Sequence, residues 1–176
     1  GLVSFSGNSF IELTITDDKA VVKQAIKNIP LSSIGGTDIG EAVITASNML
    51  EGEDSKSIIM LSDGRINIGS IQEAVDYAVK NDVLVNTIGI GTENGGETSF
   101  GLSKIDEDSL KSLSYNTEGQ YYRARDKDSL EQAFFEIVDL KLRNVSSDLS
   151  KEALVIALIL FILEYVLANT RYRIIP

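Results

Sequence analysis

Short apolar runs alternate with amphipathic helical patterns over most of this chain, and that alternation limits the fold more than any other feature. Residues 58–61 form a continuous apolar run, which is typical of a strand buried on both faces. Residues 83–90 form a second strand-like run, and the stretches between the runs carry apolar residues at the 3.6-residue period of a helix. Strands that alternate with amphipathic helices predict an α/β fold with a doubly wound, mostly parallel sheet and flanking helices.

Turn and capping residues predict the remaining elements. Two extended runs, at 2–6 and 8–16, precede a helix that Asp17 or Asp18 caps and Pro30 ends. The stretch 91–103 contains four glycines and is expected to be a loop. The other predicted elements are a helix from about Asp38, a short helix over 106–113, a short strand over 121–124, and helices that begin with capping boxes at Ser70–Glu73 and Asp128–Glu131.

The composition removes several classes of function. Of 176 residues, 16 are basic and 26 acidic, and this net charge of -10 argues against binding nucleic acid through its phosphates. The chain has no cysteine, which excludes disulfides and thiolate chemistry. It has no histidine, which removes the usual zinc ligand and the commonest general base. Many classes of enzyme are disfavoured on this ground.

A glycine-rich segment before the second helix offers an oxygen ligand for a cation. Gly35 and Gly36 let the backbone approach closely, and the hydroxyl of Thr37 could bind a divalent ion directly or through water. The alternative is a helix cap, with Thr37 or Asp38 at the N-cap and Glu41 completing a capping box from Asp38. Both roles are compatible within one loop.

Asp63 follows the apolar run 58–61 closely, at the edge of the sheet where open α/β folds bind ligands. Alone, it would more simply close an Asx-turn after the strand. Together with the Thr37 loop, one helix and one strand earlier, it favours a metal site. Because oxygen ligands are hard and no histidine or cysteine is available, we expect Mg²⁺, Mn²⁺ or Ca²⁺ rather than zinc.

Other polar groups have structural explanations. The run Asp106-Glu107-Asp108 is expected to supply charges at the start of a helix, and Tyr121 and Tyr122 are expected to pack along a strand. The sequence offers no nucleophile–base pair and no cluster of acid and base groups. We therefore expect no catalysis.

The C-terminal segment is apolar on every face. Residues 153–163 are all apolar, and Glu164 interrupts the run before it continues to Ala168. About sixteen helical residues span roughly 24 Å, against roughly 30 Å of hydrocarbon, and aromatic and arginine side chains beyond them could extend the span. We predict a transmembrane helix over 153–170, and the alternative is a buried or partner-packing helix.

The predicted organisation places the protein in the cell membrane with a single C-terminal span. Arg171 and Arg173 lie beyond that span, which favours a cytoplasmic tail and an extracytoplasmic domain. Dependence on a cytosolic partner would favour the opposite orientation. The predicted parts are an α/β domain over 1–145, a juxtamembrane linker over 146–152, the transmembrane helix over 153–170 and a short basic tail over 171–176.

The order of motifs from Gly1 to about Arg143 resembles a von Willebrand factor type A domain. The ending, from Leu163 to Pro176, is similar to the membrane-anchored Bat-type (aerotolerance operon) branch of that family. The segments that carry the first resemblance are Leu2–Gly7 (LVSFSG), Gly36–Ala42 (GTDIGEA), Ile59–Gly64 (IMLSDG), Val85–Gly91 (VNTIGIG) and Gly119–Ala124 (GQYYRA).

The resemblance implies a metal-ion-dependent adhesion site. In such a site a divalent cation lies on the upper edge of the sheet, and a partner protein's carboxylate completes its coordination. Thr37 and Asp63 match the second and third ligand loops of the family. The Bat-type branch further implies MoxR-type AAA+ ATPases and sister membrane proteins as partners, in cell-envelope maintenance or complex assembly.

One motif of the family is missing. Its first ligand loop, an Asp-x-Ser-x-Ser run, does not occur in this sequence. In the family that loop follows the first strand, which lies in the middle of the sheet, so we expect a chain truncated at its N-terminus. The strands at 2–6 and 58–61 would then face a gap with unpaired edges. We expect one of three outcomes: the domain is unstable, the two strands close up, or the missing strand comes from elsewhere. We also expect the incomplete site to bind Mg²⁺ weakly.

The sequence thus predicts a membrane-tethered protein-interaction module that binds a partner through a divalent-metal-dependent adhesion site, within a cell-envelope complex linked to a MoxR-type ATPase. Two alternatives stay open. One is a Mg²⁺-dependent phosphohydrolase that uses Asp63 and would need a second carboxylate at a neighbouring strand end. The other is a structural membrane subunit in which the loops of Thr37 and Asp63 act as helix caps and turns.

Overall fold

Three parallel strands form the centre of the fold, as the alternating pattern predicts. The computed structural model describes residues 1–30, 35–64, 68–90, 96–98, 101–103, 106–144 and 150–169. The strands are β1 (Leu2–Phe5), β2 (Ser9–Leu13), β3 (Lys56–Ser62), β4 (Val83–Ile90), β5 (Gly96–Thr98), β6 (Gly101–Ser103) and β7 (Tyr121–Ala124). The helices are α1 (Lys19–Asn28), α2 (Ile39–Met49), α3 (Ile71–Lys80), α4 (Glu107–Asn116), α5 (Lys127–Asn144) and α6 (Ser150–Asn169).

The central sheet has the order β3-β4-β7, and all its pairs are parallel. On one side of β4, Val83 to Gly89 pair with the whole of β3. On the other side, Thr87 to Ile90 pair with β7. Parallel neighbours need a crossover between them, and α3 and α4 provide the two crossovers.

Helices cover both faces of this sheet, because successive residues of a strand point to opposite sides. On one face, Met60 of β3 and Val85 of β4 pack with buried apolar residues of α2, α3 and α4. On the other face, Ile88 of β4 packs with Ala133 and Ile137 of α5. The predicted α/β class, with a parallel sheet and flanking helices, is confirmed.

Side-chain caps set the starts of several helices where the sequence predicts them. Asp18 caps α1 by accepting from the N–H groups of Ala20 and Val21, Ser70 caps α3, and Asp106 caps α4. These side chains satisfy amide groups that have no partner inside their own helix, and they therefore fix the helix starts.

The predicted cap of α5 is wrong. Asp126, not Asp128, accepts from the N–H of Ser129 through Oδ1 at 2.8 Å. The hydroxyl of Ser129 accepts in return from the N–H of Asp126 at 3.1 Å. A serine therefore takes the place of the glutamate in the reciprocal cap, and the helix begins at Lys127, one residue before the predicted cap.

The burial of β3 also differs from the prediction. The apolar run within it predicts a strand buried on both faces, yet Met60 is the one buried residue among its seven. The neighbouring strand β4 is buried at six of eight positions. The difference arises because β4 is paired on both edges, whereas within the described part of the chain β3 is paired with β4 alone.

The first two strands form a hairpin apart from the central sheet. β1 pairs antiparallel with β2, from Phe5–Ser9 at the turn to Leu2–Leu13 at the open end. Within the described ranges neither strand pairs with β3. The two strands near residues 2–6 and 58–61 therefore do not close up by pairing with each other in this part of the chain, which was one of the predicted outcomes.

The predicted loop at 91–103 is partly structured. β5 and β6 form a short antiparallel hairpin within it, from Gly96–Ser103 to Thr98–Gly101. Residues 91–95 and 99–100 lie outside the described residues. The prediction of a loop over the whole stretch is therefore wrong at 96–98 and 101–103, where the glycines concealed two short strands.

By its contacts the chain divides into two units, Gly1–Ile137 and Val138–Pro176. The second unit contains α6, whose described side chains from Leu154 to Val166 are all exposed. The predicted transmembrane helix over 153–170 falls largely on α6. In the ranges that the structure describes, no helix has both the length and the apolar character needed to cross a membrane. The predicted tail over 171–176 lies outside the described residues.

Candidate metal centre

The loop before α2 is hydrogen-bonded to the segments that follow two strands, β1 and β3. The N–H of Asp38 donates to the carbonyl of Ser6, just after β1, at 2.8 Å. The N–H of Ile68, in the segment after β3, donates to the carbonyl of Thr37 at 3.4 Å, and Asp38 forms an isolated parallel bridge with Ile68. The loop that carries Thr37 therefore meets the segment that follows Asp63, at one edge of the first unit.

Asp38 is the cap of α2, so Thr37 is not needed for that role. Oδ1 of Asp38 accepts from the N–H of Glu41 at 2.9 Å. Glu41 does not complete the predicted capping box, because its Oε2 accepts from the N–H of Ser9, at the start of β2, at 3.1 Å. Glu41 thus ties α2 to the first hairpin, and the hydroxyl of Thr37 lies one residue before the cap.

The turn after β3 is closed by a serine. The hydroxyl of Ser62 accepts from the N–H of Gly64 at 3.0 Å. The carbonyl of Asp63 accepts from the N–H of Asp106, just before α4, at 2.8 Å. These bonds hold the main chain of Asp63 without requiring the Asx-turn that the sequence offered as an alternative.

Two glycines with positive φ let this edge pack closely. Gly64 has a φ of +78°, and a Cβ built on it would collide with the carbonyl oxygen of Asp106. Gly69 has a φ of +76°, and a Cβ there would come within 2.9 Å of Oδ1 of Asp38. The segments after β3 therefore lie against both the loop before α2 and the loop before α4, in a conformation that favours glycine.

The donor set suits a hard cation but is small. Thr37 offers a hydroxyl and Asp63 a carboxylate, which are oxygen ligands of the kind that Mg²⁺ takes. Asp38 is already engaged as a helix cap. Over the described residues there is no group of three or more His, Cys, Asp or Glu side chains that could hold a metal ion. Two protein ligands leave most of an octahedral shell to water or to another molecule.

A second polar cluster lies on α4 and β7. Glu107 accepts from Nζ of Lys111 at 2.8 Å and forms an ion pair with Arg123 of β7, also at 2.8 Å. Its hydrogen bond with Lys111 and its proximity to Arg123 lower the pKa of Glu107. Burial, reinforced by the charge of Glu107, raises the pKa of Tyr121 to about 12. The two cations neutralise the Glu107 carboxylate and attach α4 to β7, which is a structural role.

Comparison with known protein families identifies the fold of the first unit. The family model of the von Willebrand factor type A domain matches residues 1–136, nearly the whole of the first unit. The chain belongs to the von Willebrand factor type A family. The predicted resemblance is therefore confirmed. No curated protein matches the sequence.

Several solved structures share this fold. The conserved hypothetical protein BatB from Bacteroides thetaiotaomicron has 23% identity to this chain and a TM-score of 0.71. The match covers 80% of this chain and 78% of the BatB chain. An aerotolerance-related membrane protein from Bacteroides fragilis has 22% identity and a TM-score of 0.68. The match covers 78% of this chain and 77% of the chain of that protein. Proximal thread matrix protein 1 from the mussel byssus has 25% identity and a TM-score of 0.62. The match covers 79% of this chain and 33% of the chain of that protein.

Sequence reasoning placed the two candidate ligands of this von Willebrand type A domain on loops that the fold brings to one edge. It overlooked Ser62 and Gly69, which shape that edge. A serine two residues before a glycine at the end of a strand is a recognisable turn signal for Ser62. The role of Gly69 has no local signal, because it depends on the approach of Asp38 from a distant part of the chain.

Proposed function

We propose that this von Willebrand type A chain is a non-enzymatic protein-interaction module that binds a partner at the edge formed by the loops of Thr37 and Asp63. The observation that supports this most directly is the hydrogen bonding that joins the Thr37 loop to Ser6, just after β1, and to Ile68, in the segment after β3. Open α/β sheets bind their ligands at the carboxyl ends of their strands, and this edge is such a place.

The proposed binding uses a divalent cation, Mg²⁺ or alternatively Mn²⁺ or Ca²⁺. Thr37 and Asp63 would hold the ion, and the ion when bound would attract a carboxylate of the partner protein. Because the described residues supply few ligands, we expect the ion to bind weakly until the partner adds its own oxygen. The main-chain bonds at Thr37 and Asp63 keep the two loops in place without the ion.

The proposed setting is a cell-envelope complex at the membrane. One structural relative is described as an aerotolerance-related membrane protein. In this chain α6 exposes apolar side chains along its described length, from Leu154 to Val166, and we propose that it associates with a lipid bilayer. We propose a MoxR-type AAA+ ATPase and sister membrane subunits as partners, with the folded domain on the extracytoplasmic side.

The alternative of a phosphohydrolase based on Asp63 has less support. Such an enzyme would need further carboxylates for its Mg²⁺ and groups to hold a phosphate. A generic phosphate ester is a sufficient substrate for the test. Turnover that requires Mg²⁺ and is lost in Asp63→Asn would favour the enzyme over the interaction module.

Mn²⁺ binding to the full chain, followed by electron paramagnetic resonance, tests the metal site. We expect Thr37→Val and Asp63→Asn each to lower the Mn²⁺ affinity by at least about tenfold, since each removes an oxygen ligand. Asp17→Asn is the matched control. Asp17 follows β2, which runs antiparallel to β1, so it lies toward the opposite end of the hairpin from the Thr37 loop.

The outcome that would contradict this proposal is an equal Mn²⁺ affinity in the native chain, in both site variants and in Asp17→Asn. The ion would then bind to the acidic surface in general. The loops of Thr37 and Asp63 would act as a cap and a turn, as in a structural subunit.

A further inference from the structure

One charged residue interrupts the apolar surface of α6. The described side chains from Leu154 to Val166 are all exposed, and Glu164 is the only charged residue among them. A charge within the hydrocarbon of a bilayer is costly, and ionisable residues at that depth generally face a partner or a water-filled cavity. If α6 associates with a bilayer, as proposed above, Glu164 therefore needs a partner there.

The helix itself offers no cation to Glu164. The side chains that a helical residue can contact along its own helix are three and four positions away, and here they belong to Leu160, Phe161, Leu167 and Ala168. All four residues are apolar. The one cation of α6, Lys151, lies thirteen residues earlier, which is about 20 Å along the axis. A cation for Glu164 must therefore come from outside α6.

The direction of its side chain keeps Glu164 from the nearer end of α6. The helix continues for five residues beyond it, to Asn169, which is about 8 Å along the axis. Side chains on a helix tilt toward its N-terminus, so the Glu164 carboxylate lies over the preceding turn and points away from that end. Lysine and arginine can bring a charge to the interface because their apolar stems are long, whereas glutamate has a short stem. Water at the nearer interface is therefore a poor partner for Glu164.

The face of α6 that carries Glu164 also allows a second helix to come close. Ala157 lies seven residues before Glu164, which is about two helical turns, so both residues are on the same face. Ala157 is the smallest residue between Leu154 and Val166, where every other side chain is at least as large as valine. Small residues at helix contacts in membranes let the two backbones approach closely. A helix that packs over Ala157 therefore passes close to Glu164.

On the basis of the proposed association of α6 with a bilayer, we infer that the face marked by Ala157 and Glu164 binds one membrane helix of a partner protein. This helix carries a lysine or an arginine at the depth of Glu164. Opposite charges attract strongly where water is excluded, and each charge offsets the cost of burying the other. The ion pair also selects the partner, because a helix without a cation leaves Glu164 unpaired.

A second copy of this chain does not supply the cation. Two parallel copies of α6 would bring one Glu164 next to the other, and like charges repel. In two antiparallel copies each Glu164 would meet residues between Leu154 and Leu163 of the other copy, where the sequence contains no cation. The partner is therefore a different helix, with a basic residue inside its apolar run.

The test uses the full chain in phosphatidylcholine vesicles, and EDTA is present throughout so that the metal site has no influence. Three fluorescent probe peptides share a leucine-rich membrane helix with uncharged ends. About five residues from one end, as for Glu164 in α6, they carry a lysine, a glutamate or a leucine. Energy transfer between the labelled chain and each peptide measures their affinity. Cosedimentation with the same vesicles measures the binding of the chain to lipid.

We expect the native chain to bind the lysine helix at least about tenfold more tightly than the leucine helix. Glu164→Gln is expected to lose this preference, and Glu164→Lys is expected to bind the glutamate helix instead of the lysine helix. Ala157→Leu should weaken binding of the lysine helix several-fold, because the larger side chain holds the helices apart. Glu152→Gln, which removes a charge from the first turn of α6, is the matched control and should behave like the native chain.

Several results would overturn the inference. Equal binding of the lysine and leucine helices by the native chain would do so, as would binding of the lysine helix that is unchanged in Glu164→Gln. Energy transfer between copies of the native chain that is lost in Ala157→Leu would assign the face to a second copy. These results in a chain that cosediments with vesicles would count against the partner helix alone. A chain that does not cosediment would refute the association of α6 with a bilayer, and the partner helix with it.

Discussion

At the scale of single residues, Gly64 is a position where both the backbone conformation and a close contact exclude a side chain. Its φ of +78° disfavours any residue with a Cβ, and that Cβ would meet the carbonyl of Asp106. We expect Gly64→Ala to lower the free energy of unfolding by roughly 3 kcal/mol, of which the backbone conformation accounts for about 1 and the collision for the rest. Chemical denaturation measures the change.

Gly52→Ala is the matched control for this substitution. Gly52 has a φ of +88°, but nothing lies within 4 Å of a Cβ built there. We expect a loss of about 1 kcal/mol, from the backbone conformation alone. Equal losses at the two positions would contradict the collision between residue 64 and Asp106.

The pKa of Glu107 predicts a dependence of stability on pH. Lys111 and Arg123 lower this pKa below the ordinary value of 4.5. The stabilisation by the Glu107 carboxylate is therefore complete above about pH 4.5 and is lost as the pH falls through the lower, folded-state pKa. We expect Glu107→Gln to be less stable than the native chain by about 1 kcal/mol at pH 7.

The sign of this effect is tested by unfolding both proteins between pH 7 and pH 3. The difference in free energy of unfolding is expected to be constant down to about pH 4.5 and to shrink below it. Glu118→Gln, at an exposed position, is the control and should leave the pH profile unchanged. A difference that stays constant down to pH 3 would contradict the role of the carboxylate charge.

At the scale of elements, the start of α5 depends on Asp126. Its side chain accepts from both the N–H and the hydroxyl of Ser129, and these bonds lower its pKa. We expect Asp126→Ala to lower the melting temperature by about 3 °C, because the first turn of the helix loses its cap. Asp128→Ala, two residues later, should change it less. A larger loss of melting temperature in Asp128→Ala than in Asp126→Ala would support the cap that the sequence predicts.

Most elements could be predicted from the sequence because their signals are local. The strands β3 and β4 and the caps Asp18, Asp38 and Ser70 each depend on residues within a few positions of one another. The errors arose where two local signals competed, as at the start of α5, or where glycines masked a short hairpin at β5 and β6.

At the scale of the whole molecule, α6 predicts an affinity for lipid. Side chains from Leu154 to Val166 are half or more exposed and almost all apolar. We expect the full chain to cosediment with phospholipid vesicles, and the double change Ile159→Glu with Ile162→Glu to weaken binding at least about tenfold, since charges are costly in hydrocarbon. Ile159→Leu with Ile162→Leu is the control. Undiminished binding of the charged variant would place the membrane contact elsewhere.

The sequence by itself determined the α/β class and the family, because periodicity, caps and short motifs are properties of neighbouring residues. The two ligands that it named, Thr37 and Asp63, stay a prediction. The tertiary structure decided how far each strand is buried. β3 and β4 are both strongly apolar, yet one is half-exposed and the other buried. Pairing joins residues far apart in the chain, so the burial of a strand follows from the arrangement of the sheet and not from the composition of the strand.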